Sequence, residues 1–206
     1  MATTEVEICN MGLFRAGQTV RISSFEEPST YAMVCRTAYP IARDAVLAEP
    51  GTYWPFARRR VKLSRIDAEG LDLGGFRFAY ALPADMISPV GIQPYTRNPR
   101  MDEEIPYVIE QSLAGPGLWL LTDHPAPIFE YTQRVEAPSL FSPLFADALA
   151  WRIALELVVP LSLELRVAQT CERGYLAALS KAAADTSNYR RNDPPPIPES
   201  IAVRDF

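Results

Sequence analysis

Residues 35 to 60 read CRTAYPIARDAVLAEPGTYWPFARRR, and the rest of the chain is best explained as packing on this stretch. Wound at about 100° per residue, the segment from 31 to 47 places its apolar side chains on one stripe. The stripe comprises Tyr31, Cys35, Ala38, Tyr39, Ala42 and Val46. This pattern predicts a core-facing helix with Arg36 and Arg43 along its edge. Because Pro40 lacks an N–H and crowds the preceding turn, we expect a kink or a short break there.

A second helix is predicted to begin near Trp54, after a loop at residues 49 to 52. One face would carry Phe56, Ala57, Arg60, Val61 and Leu63, and the other Arg58, Arg59, Lys62 and Arg65. Arg60 would then lie within an apolar face, where a guanidinium needs an acceptor. An intrachain ion pair, a snorkelling stem and a role at an interface all remain open for it. Asp44 falls opposite the first apolar stripe, so we expect it to meet water or another protein surface.

Four motifs in order resemble those of the phage tail tubular protein A family, the head-to-tail adaptors of short-tailed phages and related prophages. The first comprises Cys35, Tyr39, Arg43-Asp44, Leu47, Trp54, Phe56-Ala57 and Arg60. The others are YALPAD (Tyr80 to Asp85), LLTDHPAP (Leu120 to Pro127) and LFSPLFADALAWRIALELVVPLS (Leu140 to Ser162). The resemblance spans about residues 5 to 185. It departs from the family in the longer Gly51-Thr52-Tyr53 spacer and in the C-terminal end, which matches nothing.

Composition limits the class of protein. A chain of 206 residues, 48% of them hydrophobic, can bury one sizeable core, so one domain is expected. Cys9, Cys35 and Cys171 are widely spaced and accompanied by a single histidine, which predicts neither a zinc site nor a disulfide framework. They are expected to be small buried hydrophobes in a reducing compartment. The acidic N-terminus and the lack of a long apolar run predict a soluble protein with no membrane association.

The sequence lacks the common catalytic and cofactor-binding motifs. It contains no P-loop, nucleophile elbow, zinc-protease motif or dinucleotide fingerprint, so we expect no cofactor, no metal and no enzymatic activity. His124, preceded by Asp123, is the one conceivable general base, which leaves a small hydrolase as an alternative. The net charge of -5 argues against a free-standing DNA-binding regulator, although it permits DNA to pass nearby.

Periodicity divides the chain into helical and β regions. From Gly70 to about Val135 the period is 2, which predicts strands near 76–82, 107–113, 118–122 and 128–135 in a small antiparallel β lobe. The strands at 107–113 and 118–122 are predicted to form a hairpin through the turn at residues 114 to 117. Residues 88 to 104 are predicted to be a long loop that contacts a neighbouring molecule. Ser29 and Ser142 are expected helix N-caps, and Ser142-Pro143 begins the central core helix. A further helix is expected after Ser162.

The predicted fold is α+β and mostly α. It is a helical bundle from residues 4–66 and 140–190, with an inserted β lobe at 70–136 and an extended C-terminal tail at 191–206. The tail is expected to dock into the portal or onto the next subunit through anchors at Ile201, Val203 and Phe206.

The family resemblance implies a virion structural protein of the neck between capsid and tail, made in the cytoplasm of the host bacterium. It implies a homo-oligomeric ring of twelve subunits, with the portal protein above and a tail nozzle or tube protein below. Double-stranded DNA would pass through the channel without specific binding. The candidate subunit-contact residues are Arg36, Arg43, Asp44, Arg58, Arg59, Arg60 and Lys62. Another neck, tail-completion or gene-transfer-agent connector remains an alternative.

Overall fold

The computed structural model describes residues 4–52, 54–94, 105–112 and 115–189, and its helices make up one layer of the fold. They are α1 (Glu5–Arg15), α2 (Thr30–Ala48), α3 (Pro143–Leu157) and α4 (Leu165–Tyr189), with 3₁₀ turns at Pro55–Ala57 and Pro138–Leu140. The expected N-caps are confirmed, since Ser29 Oγ accepts a hydrogen bond from the amide of Ala32 and Ser142 Oγ from the amide of Phe145. The predicted α+β class with more helix than strand is confirmed.

Helix α3 is the centre of the bundle, as predicted, and packs against the other three helices. Its buried residues lie on most of its circumference: Phe145, Ala146, Ala148, Leu149, Ala150, Ile153, Ala154 and Leu157. Helix α1 approaches closely at Gly12, where a Cβ atom would lie 2.7 Å from Ile153 Cγ2. The three cysteines are buried free thiols, as expected from the sequence.

The β lobe is two antiparallel sheets packed face to face. One has the order β1-β7-β4, from Arg58–Lys62, Pro127–Gln133 and Met86–Pro94. The other has the order β2-β3-β6-β5, from Arg65–Ile66, Phe78–Ala81, Leu118–Thr122 and Tyr107–Gln111. Side chains from both sheets fill the space between them: Leu63, Tyr80, Ile92, Leu120, Phe129 and Tyr131. The predicted hairpin of β5 and β6 is confirmed.

The predicted helix from Trp54 is wrong. A 3₁₀ turn is followed by β1, so the lobe begins at Arg58 rather than at Gly70, and the helical core does not extend to residue 66. The backbone of Arg58–Lys62 pairs along its whole length with β7, from Arg58 opposite Thr132 to Lys62 opposite Ile128. This pairing satisfies the backbone groups of β1 that face β7. It decides the structure of a short mixed segment whose apolar spacing fits a helix only by chance.

Two further expectations need correction. Residues 86 to 94 form strand β4 rather than a loop; Pro89 is accommodated because β4 is an edge strand with register shifts on both sides of that residue. Of the kink or short break expected at Pro40, the break is absent, because helix α2 continues through that residue. Pro40 and Arg36 both lie on its exposed side, where water can replace the missing donor. The remainder of the predicted loop, residues 95 to 104, and the tail anchors Ile201, Val203 and Phe206 lie outside the described residues.

Candidate subunit-contact surface

Asp44 connects the bundle to the β lobe, and Arg43 pairs with it on α2. The guanidinium of Arg43 donates to Asp44 Oδ1 from Nε at 2.9 Å, and Arg134, which follows β7, donates from Nε to Asp44 Oδ2 at 2.9 Å. The Arg43 side chain is only 8% exposed and that of Asp44 30%. Asp44 therefore has an intrachain partner that neither sequence expectation, water or another protein, included.

Strand β1 carries the basic candidates in an alternating arrangement. Arg58, Arg60 and Lys62 lie opposite Thr132, Glu130 and Ile128 of β7 and share one face of the sheet with them. Arg60 donates from Nε to Glu130 Oε2 at 3.0 Å. Of the alternatives left open for Arg60, the structure shows an intrachain ion pair, although on a strand and not on a helix.

Arg59 points to the other side of β1 and meets a second polar group. Its guanidinium is 3.5 Å from Asp85 Oδ2 and 3.1 Å from Gln133 Oε1. Tyr131 donates its hydroxyl proton to Asp85 Oδ1 at 3.0 Å. Burial, together with this hydrogen bond to a carboxylate, raises the pKa of the Tyr131 phenol, so the phenol remains a donor at neutral pH. Asp85, the last residue of the YALPAD motif, thus binds both Arg59 of β1 and Tyr131 of β7.

Arg36 differs from the other candidates because it is mostly exposed. Its nearest carboxylate is Glu26, at 3.7 Å, in a solvent-exposed pair that contributes little to stability. Of the other candidates, Arg58 is half-buried and Lys62 is exposed at the end of β1. The structure thus gives Arg43, Asp44, Arg59 and Arg60 partners within the chain and brings Arg58 and Lys62 onto the same sheet face as Arg60.

Both chain crossings between bundle and lobe pass through an aromatic cluster. Phe56, before β1, lies 5.6 Å from Phe141 and 5.0 Å from Phe145, measured between ring centroids. Trp54 packs edge-on against Phe145 at 4.9 Å and donates its indole N–H to the carbonyl of Val46 at 2.9 Å. These aromatic contacts join the first sequence motif to the fourth.

The second and third motifs meet inside the lobe. Tyr80 donates its hydroxyl proton to the carbonyl oxygen of His124 at 2.9 Å. His124 Nδ1 accepts from the amide of Ala126 at 3.3 Å, and Asp123 Oδ1 accepts from the amide of Arg77 at 3.0 Å. Both side chains of the conceivable catalytic pair therefore bond to backbone groups and shape the turn between β6 and β7.

Sequence reasoning missed an apolar groove beside α1, with a volume of about 1020 Å³. Its lining includes Met11, Phe14, Val20 and Trp151. The Phe14 side chain is 77% exposed. A helical wheel offers one signal: Phe14 lies on the side of α1 opposite the buried residues Ile8, Cys9 and Leu13.

Comparisons with known proteins add no assignment: no protein-family model matches the chain, and no curated protein matches it. Within the described ranges, histidine, cysteine and carboxylate side chains do not converge on any position that would hold a metal ion. Among the same residues, no helix combines the length and apolarity that crossing a bilayer requires.

Proposed function

We propose that the protein is a virion structural subunit, the head-to-tail adaptor that forms a ring under the portal and joins it to the tail. One observation supports this most strongly: the motifs that resemble the adaptor family contact one another in the fold, the first with the fourth and the second with the third. Phe56 meets Phe141 and Phe145, and Tyr80 binds the backbone of His124. A resemblance by chance gives no reason for matching residues that are distant in sequence to lie in contact.

These contacts suit a connector that transmits force between capsid and tail, because they fix the lobe on the bundle. The aromatic cluster encloses both chain crossings, and Asp44 adds an ionic link between α2 and Arg134. Close-packed protein interiors have low compressibility and transmit strain. In the proposed ring, force applied to the lobe by the tail would reach the bundle directly.

The charge distribution is compatible with a channel through which a genome moves. Tight binding to duplex phosphates requires an excess of Lys and Arg, whereas this chain has a net charge of -5. On β1, Arg60 is neutralised by Glu130, and Arg59 lies near Asp85. DNA would therefore slide past the proposed ring instead of being held by it.

Electron microscopy of the purified protein mixed with the portal ring encoded by the same genome tests the proposal. The expected result is a ring of this protein attached to one face of the portal, and the same ring in the neck of intact particles. Monomers alone, in both the mixture and the particles, would refute the adaptor function. Cross-linking of particles identifies the tail-side partner and separates the adaptor from another neck or gene-transfer-agent connector.

A further inference from the structure

The groove beside α1 is preformed. Asn10 holds the segment after α1 in place by donating from Nδ2 to the Ile22 carbonyl at 2.9 Å and accepting from the Ile22 amide at 2.8 Å. On the opposite wall, the Arg15 guanidinium stacks over Trp151 at 4.6 Å and pairs with Asp147. Because both walls are fixed by these bonds, an occupant would not have to order them on binding.

A matching projection comprises the turn between α3 and α4 and the first two residues of α4, residues 158 to 166, which we call the hairpin tip. Its two flanking apolar side chains, Val159 and Leu165, are 84% and 73% exposed. The turn is closed by hydrogen bonds from the Ser162 amide to the Val159 carbonyl at 3.0 Å and from the Leu163 amide to the Val158 carbonyl at 2.9 Å. The projection is therefore rigid as well as apolar.

We propose that the hairpin tip of one copy inserts into the groove beside α1 of a second copy. Val159 and Leu165 then contact Phe14 and Met11, and apolar side chains that are exposed in the single chain become buried on both sides. The inference rests on the proposed ring, and it names the two surfaces that would build it. A projection and a groove at different places on the same chain give a head-to-tail contact, which closes into a ring when the rotation between neighbours allows.

Charge complementarity supports a second copy as the occupant. The tip carries Glu164 and Arg166, both largely exposed and separated by 3.6 Å. The groove lining includes Arg21 and Glu7, both on the exposed surface. The other base of the groove lining, Arg15, is already paired with Asp147. In the proposed contact Glu164 faces Arg21 and Arg166 faces Glu7.

Disulfide trapping tests the contact directly. Cys9, Cys35 and Cys171 are fully buried, so Phe14→Cys and Val159→Cys each provide one accessible thiol. The two variants carry tags of different mass, are mixed under assembly conditions with the portal and are oxidised. A mixed dimer of F14C with V159C is expected to dominate. The matched control is Met33→Cys, which replaces a 55% exposed apolar residue on α2 and is expected to give only background dimer with V159C.

The outcomes separate this inference from the proposed function. If the wild-type protein forms the ring and F14C with V159C gives no more dimer than the M33C control, the contact is wrong and the adaptor function stands. If same-variant dimers dominate, the head-to-tail arrangement is wrong. If the wild-type protein stays monomeric with the portal and in particles, the adaptor function fails and this inference fails with it.

Substitutions give an independent readout by analytical ultracentrifugation of the assembling protein. Phe14→Ser is expected to weaken self-association on the order of 10- to 100-fold because one large apolar contact is lost, whereas Met33→Ser leaves it unchanged. Arg21→Glu and Glu164→Arg are each expected to weaken it, and the double variant R21E/E164R to recover. Equal effects of the two serine variants, or no recovery in the double variant, would overturn the proposed contact.

Discussion

Replacing Asp44 by alanine should destabilise the protein by leaving a buried cation without its partner. Arg43 is 8% exposed, and two of its nitrogens bond to Asp44 Oδ1. Breaking a buried ion pair costs about 3–5 kcal/mol, and the lower end applies because Asp44 is 30% exposed and water can enter. The exposed pair with Arg134 adds about 0–1 kcal/mol at most. We expect a loss of about 3 kcal/mol and a fall in Tm of roughly 6–12 °C.

The assay is urea unfolding followed by circular dichroism, with wild type, D44A, Arg43→Met and the double variant measured together. R43M should cost less than D44A, because Asp44 keeps Arg134 and part of its water. The double variant should be more stable than D44A, because the buried charge is gone, and the difference measures the coupling. A D44A variant within about 1 kcal/mol of wild type, below the range for a buried pair, would refute the reasoning. So would a double variant no more stable than D44A.

Three further predictions concern the contact of α3 with α4 and the buried tyrosines. A Cβ at Gly174 would lie 2.6 Å from the Trp151 ring, so Gly174→Ala should lower thermal stability. The cost of overpacking, about 1–3 kcal/mol, exceeds the gain in helix propensity of about 1 kcal/mol, and a more stable variant would contradict this prediction. Tyr175→Phe removes a 2.8 Å hydrogen bond to Glu49 and should cost about 1 kcal/mol of stability, whereas Tyr39→Phe should be neutral or stabilising because no described group bonds its buried hydroxyl. A urea midpoint that is lower for Tyr39→Phe than for Tyr175→Phe would contradict both expectations. Burial raises the pKa of both phenols above that of the unfolded chain, so the unfolded state ionises first and stability falls as the pH rises above ~10. The fall in urea midpoint there should be smaller in the double phenylalanine variant.

Local signals were enough to place the central helix and the β5–β6 hairpin. Ser142 caps the helix with its side chain, and Pro143 occupies the first helical position, where the missing N–H has no partner to lose. Both effects act within the first turn of the helix. The hairpin is likewise set by alternation on either side of a short glycine-containing turn. These elements depend on neighbours in sequence, so the sequence contains most of what determines them.

The failures share a dependence on distant residues. Arg58–Lys62 is compatible with a helix until β7 supplies a backbone partner from the other end of the lobe. Asp44 seemed to lack a partner because Arg134, which binds it, lies beyond the entire insertion. The exposure of Phe14 likewise depends on which helix faces pack on α3. Charge and periodicity singled out the polar residues that the apolar core does not explain. Their partners could be found only from the tertiary structure.

The pairing of Arg58 with Thr132 has a consequence for how this chain folds. The strands on which the chain enters and leaves the lobe are neighbours, so a folded lobe holds its two ends one strand spacing apart. Until that happens, α2 and α3 are joined by a long flexible segment whose closure is entropically unfavourable. Once β1 and β7 have paired, the entropic cost of bringing α2 and α3 together falls to that of a short connection. Early assembly of the lobe would therefore speed the docking of the two halves of the bundle.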